Sequence, residues 1–147
     1  MVLVTGAPSV ERVERGLGPI GVLVNNAAAT QRKLFLESTP ADWAAQVDVT
    51  VKGTPLITHA VVGLMATRGS GVIVNLMGDS GRVGESRLLV TATARADERM
   101  KRMVAQYPLG RVGRADDVTP MVLLLASPRA GWITGQVASV DGGDAML

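Results

Sequence analysis

Short apolar runs rich in valine and isoleucine alternate along this chain with segments whose apolar residues recur at helical spacing. This alternation is typical of parallel α/β units, in which a helix crosses over between successive strands. An unbroken apolar run such as Gly21–Asn25 is typical of a strand that is buried on both faces. The pattern therefore predicts an α/β protein with a small, mostly parallel sheet and helices on both faces. The predicted strands are Val2–Thr5, Gly21–Asn25, Gly71–Leu76 and Gln136–Val140.

The predicted helices carry recognisable start and stop signals. Thr39 and Asp42 form a capping-box pattern around Pro40, which suits the first position of a helix. This long helix extends to Leu64, and we expect a kink at Pro55 because proline cannot donate a hydrogen bond within the helix. The other predicted helices are Pro8–Leu17, Thr91–Tyr107 and Ala115–Ala126.

Length and composition narrow the classes of protein. The chain has 147 residues, which predicts a single domain covering residues 1–147. Hydrophobic residues make up 47% of the chain and charged residues 19%, which excludes a disordered protein. Cysteine is absent and His59 is the only histidine, so a zinc site built from several such ligands is excluded and we predict no metal.

Charged residues are scattered rather than clustered, although the formal net charge is +2. Acidic and basic residues alternate within 11–15 and within 98–102, which is typical of solvated helix faces. Two tryptophans, one tyrosine and one phenylalanine are too few for a base-stacking surface. The apolar run Met121–Ala126 is far shorter than the roughly 18 residues of a membrane span, and the amino terminus lacks the basic region of a signal peptide. We therefore predict a cytoplasmic protein that binds neither nucleic acid nor a membrane.

Several motifs occur in the same order as in one known family. They are Val22–Ala27 (Val-Leu-Val-Asn-Asn-Ala), Gly71–Leu76 (Gly-Val-Ile-Val-Asn-Leu), Leu109–Val118, Thr134–Gln136 and Val140–Gly143. On these motifs the chain is identified as a member of the short-chain dehydrogenases/reductases (SDR family). The resemblance implies a Rossmann-like three-layer αβα fold with a sheet of about four strands. It also implies descent from enzymes of NAD(P)-dependent carbonyl/alcohol oxidoreduction, with Asn25, Asn26 and Ala27 at the cofactor.

The cofactor loop departs from the family pattern. The family's loop is Thr-Gly-x-x-x-Gly-x-Gly, whose glycines let the backbone approach the pyrophosphate. Thr5 and Gly6 match it, but Val10 and Arg12 occupy the two later glycine positions. Residues 2–17 resemble the family's third strand and following helix at least as well, and on that interpretation the loop is absent. We therefore predict that NAD(P) binding is lost and that Asn25 and Asn26 tie neighbouring strands together instead.

The catalytic positions of the family are also changed. Its Asn, Ser, Tyr and Lys fall here on Thr50, Gly78, Thr91 and Arg95, respectively. Gly78 has no hydroxyl, and Thr91 has no phenol that can act as a general acid near neutral pH. The catalytic candidates that remain are Thr91, Arg95 and Ser80, a hydroxyl in the loop after the third predicted strand.

Other polar residues have a chemical and a structural interpretation, and the structural one is favoured in each case. His59 lies beside the apolar stripe of the long helix, and Ser86 lies in a glycine-bearing loop with no His or Lys partner placed to activate it. Asp116 and Asp117 stand at a helix start, where acids cap the helix and interact favourably with its dipole. Asp141 precedes two glycines and is predicted to be a turn residue.

Three functional hypotheses follow. The first is an SDR-like protein that has lost cofactor binding and proton transfer, with a further stretch of the family deleted after Ala96. The second is a non-redox enzyme of the halohydrin-dehalogenase type acting on a small-molecule ligand, since those relatives carry arginine at the position of Arg95. The third is an interaction or scaffold subunit that pairs with a full-length relative.

Loss of the intervening strands has consequences for sheet order and association. The predicted strand order is Val2–Thr5, Gly21–Asn25, Gly71–Leu76, Gln136–Val140, and the last strand forms an edge. A four-stranded sheet cannot cover the whole apolar stripe of the long helix. We therefore expect a homo-oligomer or a complex with a longer SDR relative, in which Leu64 contacts Leu64 or Val61 of the second chain. The stripe residues are Leu56, Ala60, Val61 and Leu64.

Overall fold

The structure is a computed structural model that describes residues 7–29, 35–78, 104–105 and 107–143. The predicted strand Val2–Thr5 lies outside these ranges, as does most of the predicted helix Thr91–Tyr107. The elements in chain order are α1 (Ala7–Leu17), β1 (Val22–Asn25), a 3-10 turn (Phe35–Glu37), α2 (Pro40–Gln46), a π-helical turn (Val47–Lys52), α3 (Gly53–Arg68), β2 (Val72–Asn75), α4 (Ala115–Leu125) and a second 3-10 turn (Pro128–Ala130).

The described sheet consists of β1 and β2, which pair in parallel. Their register places Val22 beside Val72 and Asn25 beside Asn75. The long helical segment between the two strands makes the crossover that a parallel pair requires. The prediction of adjacent parallel strands at these positions is confirmed.

The long helix begins as predicted. The Thr39 side chain accepts a hydrogen bond from the Asp42 backbone N–H, and the Asp42 carboxylate accepts one from the Thr39 backbone N–H at 2.9 Å. Pro40 occupies the first turn. The interruption expected at Pro55 takes the form of a wide π turn that begins earlier, at Val47, and ends before α3. Pro55 lies three residues after this π turn, inside a helix that continues without a break to Arg68.

The continuous helix Pro40–Arg68 is also the one helix among the described residues that is long and apolar enough to cross a membrane. One such helix is weak evidence for a membrane span, because the test uses length and composition only; 17% of its apolar window is buried within the chain. The test therefore carries little weight here.

The core of the described region lies between α1, β1 and α3. Buried side chains of these three elements pack together in a single cluster, so separating α1 from β1 and α3 would expose the core to water. Gly71 lies so close to this cluster that an added Cβ would clash with the Met65 side chain. The core cluster consists of Val10, Ile20, Leu23, Ile57, Val61 and Met65.

One ionic cluster joins α1 to the end of α3. The Glu14 carboxylate accepts a hydrogen bond from Arg68 at 3.0 Å and another from the Ile20 backbone N–H at 2.8 Å. Arg68 also donates to the Ile20 carbonyl at 2.9 Å. The two side chains are only 20% and 30% exposed, so the contact is shielded from water.

The prediction of a strand at Gln136–Val140 is wrong. The structure has no strand there, and the segment is exposed along its whole length. A β-rich composition becomes a strand only when a neighbouring strand supplies hydrogen-bond partners, and in the described sheet β1 and β2 pair only with each other. The turn that follows is as predicted, because Asp141 accepts a hydrogen bond from the Gly143 backbone N–H at 3.0 Å.

Candidate functional site

The carboxyl ends of β1 and β2 form the candidate site, since parallel α/β sheets bind their ligands at this edge. Asn25 and Asn75 end the two strands side by side. The Asn25 amide nitrogen donates to the Asn75 side-chain oxygen at 2.8 Å and to the Thr58 hydroxyl of α3 at 3.2 Å. Both hydrogens of this amide are therefore used to join β1 to β2 and to the long helix. The strand-tying role predicted for Asn25 agrees with this geometry, whereas Asn26, predicted to share that role, is exposed beyond the end of β1.

A second contact holds the loop that leaves β1. The Ala29 backbone N–H donates to the Thr50 hydroxyl at 3.1 Å, and that hydroxyl donates to the Ala29 carbonyl at 3.5 Å. Thr50 lies in the π turn, at the position where the family pattern has its catalytic Asn. Its hydroxyl therefore anchors the loop to the helix. Sequence reasoning missed Asn75 and Thr58, whose partners depend on the register of the strands and on the packing of α3.

The residues that flank this edge are open to solvent. Asn26 and Ala27, predicted to contact the cofactor, are exposed, and so is Gly78 at the position of the catalytic serine. Among the described residues of these two strand ends, 25–29 and 75–78, none is ionisable. This part of the site can donate and accept hydrogen bonds, but it supplies no acid or base with a pKa near neutrality.

The helix α1 occupies the positions of the predicted cofactor loop. It begins at Ala7, so Val10 and Arg12 lie inside the helix and not in a loop before it. Val10 is 2% exposed and belongs to the core cluster, whereas Arg12 is exposed. Thr5 and Gly6 lie outside the described residues.

The remaining candidates divide into residues outside and inside the described ranges. The catalytic candidates Thr91, Arg95 and Ser80 lie outside them, as does Ser86. His59 is described and is exposed on α3. In the described ranges, no three His, Cys, Asp or Glu side chains are grouped so as to hold a metal ion.

Asp117 has the capping role that its position predicts. Its carboxylate accepts hydrogen bonds from the Arg111 guanidinium at 2.6 and 2.7 Å and from the Arg114 backbone N–H at 2.7 Å. The Arg111 hydrogen bonds, followed by that from Arg114, hold the pKa of Asp117 well below its usual range. The carboxylate therefore stays ionised near neutral pH, and it fixes the start of α4.

Comparison with family profiles shows which protein family the chain belongs to. The family profile described as short chain dehydrogenase matches residues 5–107, well over half of the chain. The chain belongs to the short-chain dehydrogenase family. A second profile, described as Enoyl-(Acyl carrier protein) reductase, matches residues 86–144 of this short-chain dehydrogenase.

Relatives of this short-chain dehydrogenase include several reductases. The acetoacetyl-CoA reductase of Shinella zoogloeoides is 30% identical, in an alignment that covers 91% of this chain and 71% of the relative. The 3-oxoacyl-[acyl-carrier-protein] reductase FabG of Thermotoga maritima is 29% identical and is covered to 70%, with 91% of this chain aligned.

The fold is shared with a solved short-chain dehydrogenase structure. A variant of the actinorhodin polyketide ketoreductase, crystallised with NADPH, superposes with a TM-score of 0.78 at 23% identity. The superposition covers 94% of this chain and 72% of the ketoreductase. The predicted Rossmann-like αβα fold is thereby confirmed.

Proposed function

We propose that this member of the short-chain dehydrogenase family does not carry out NAD(P)-dependent oxidoreduction. It acts instead as a subunit that associates with a second copy or with a longer relative. The observation that carries the first half is the burial of Val10 within α1. A dinucleotide loop needs glycine at that position, ahead of the helix, so that the backbone can touch the phosphates. A valine that fills the core cannot serve this purpose.

The edge of the sheet supports the same proposal. The Asn25 amide is engaged by Asn75 and Thr58, and Gly78 stands where the family has its serine. Thr91 and Arg95, at the positions of the family's Tyr and Lys, have neither the phenol nor the amine of that pair. Redox catalysis in this family's manner therefore has neither its proton donor nor a preorganised site for the nucleotide.

The length of the alignment is a further support. The alignment with the Shinella reductase spans 172 positions, whereas 91% of 147 residues is about 134, so about 38 aligned positions hold no residue of this chain. This difference supports the proposal that internal segments present in the reductase are missing here. A non-redox enzyme that uses Arg95 with a serine or threonine hydroxyl stays a prediction, since Arg95 and the candidates Ser80 and Thr91 lie outside the described residues.

We expect neither NADH nor NADPH to stabilise the chain. A ligand present at 100 times its Kd adds about 2.7 kcal/mol, which for a domain of this size raises the Tm by about 5–10 °C. Thermal melts with each nucleotide at about 1 mM should show a change of less than about 1 °C. The actinorhodin ketoreductase, solved with NADPH, is the positive control. A shift of several degrees in this chain with either nucleotide would contradict the loss of the cofactor site.

The associating half of the proposal rests on the outer face of the long helix. Leu56 is 64% exposed, and Val51 and Val62 are also exposed on the same helix. Val61, which was predicted to reach a second chain, is fully buried within this one, and Leu64 packs against the core cluster. That part of the predicted contact is wrong, because α1 and β1 cover the side of the helix that carries Val61. The exposed Leu56 side chain is where a partner would dock.

Replacing Leu56 by glutamate should dissociate the oligomer. Burial of one leucine is worth about 1.5–3 kcal/mol, and a two-fold interface loses two of them, so the dissociation constant should rise about a hundredfold or more. Light scattering over a concentration series measures the change. The control is Leu17→Glu, which places the same charge on an exposed leucine of α1. A parent chain that stays monomeric at high concentration would exclude this interface.

A further inference from the structure

We draw no further inference here: the strongest candidate, the exposed apolar surface of the π turn in the long helix, which carries Val47, Val49 and Val51, supports no proposal because nothing in the described part of the chain shows what covers it.

Discussion

Replacing Val10 by glycine, the residue that the family's cofactor loop carries at this position, should destabilise the fold by about 3 kcal/mol. The loss combines about 1.5–3 kcal/mol for the buried valine side chain with about 1 kcal/mol for glycine inside a helix. Val10 contributes to the core cluster beside Ile20, Leu23 and Val61. Urea unfolding followed by circular dichroism measures the change in the free energy of unfolding.

Arg12→Gly is the matched control, because Arg12 occupies the other glycine position of the family's loop and is exposed on the same helix. It should lose only the helix-propensity share, about 1 kcal/mol. If the two glycine variants lost equal stability, α1 would not be docked through Val10. The double glycine variant should also fail to gain nucleotide binding, because restoring the residues of the loop removes part of the core.

Replacing Arg68 by alanine should cost about 2 kcal/mol of stability. The guanidinium bonds both the Glu14 carboxylate and the Ile20 carbonyl, so its removal leaves two partly shielded oxygen acceptors without a charged donor. Because both side chains of the ion pair retain some exposure, the loss stays below that of a fully buried pair.

The control for Arg68→Ala is Arg15→Ala, because Arg15 forms an ion pair that is open to solvent. Arg15 lies 3.7 Å from Glu11, and both side chains are about four-fifths exposed. Such a pair contributes about 0–0.5 kcal/mol and is screened by salt. Chemical denaturation at low and high salt should therefore separate the two variants, with the Arg68 loss persisting at high salt. Similar small losses for both would mean that the link between α1 and α3 is only superficial.

Local signals predicted most of the described fold. The capping box of Thr39 and Asp42, and the continuous apolar runs of β1 and β2, depend on residues close together in sequence, so their structure is readable from the chain. The failure at Gln136–Val140 has the opposite cause, since a strand depends on a neighbour that composition does not reveal. The earlier start of the helix interruption, at Val47, had no recognised signal in the sequence.

The candidate site was predicted less completely than the fold. The mismatch in the cofactor loop predicts a strand-tying role for Asn25 and Asn26, and the hydrogen bond between Asn25 and Asn75 joins the two strands in that way. Thr58 reaches the same amide from 33 positions away along the chain, so only the packing of α3 onto β1 reveals it. The loop anchor between Thr50 and Ala29 depends on the π turn in the same way.

The distribution of the core has a consequence for how the native chain opens. Among the described residues, every buried apolar side chain except Ala130 lies between Val10 and Val74. Local opening free energies follow buried contacts, so the hydrogen-bonded amides of α3 and of the β1–β2 pair should exchange with deuterium only through near-global unfolding. The amides of 134–140, a segment that contributes no buried side chain, should exchange orders of magnitude faster in the monomer. This short-chain dehydrogenase would then behave as a slowly opening amino-terminal unit that carries a rapidly exchanging carboxyl-terminal arm.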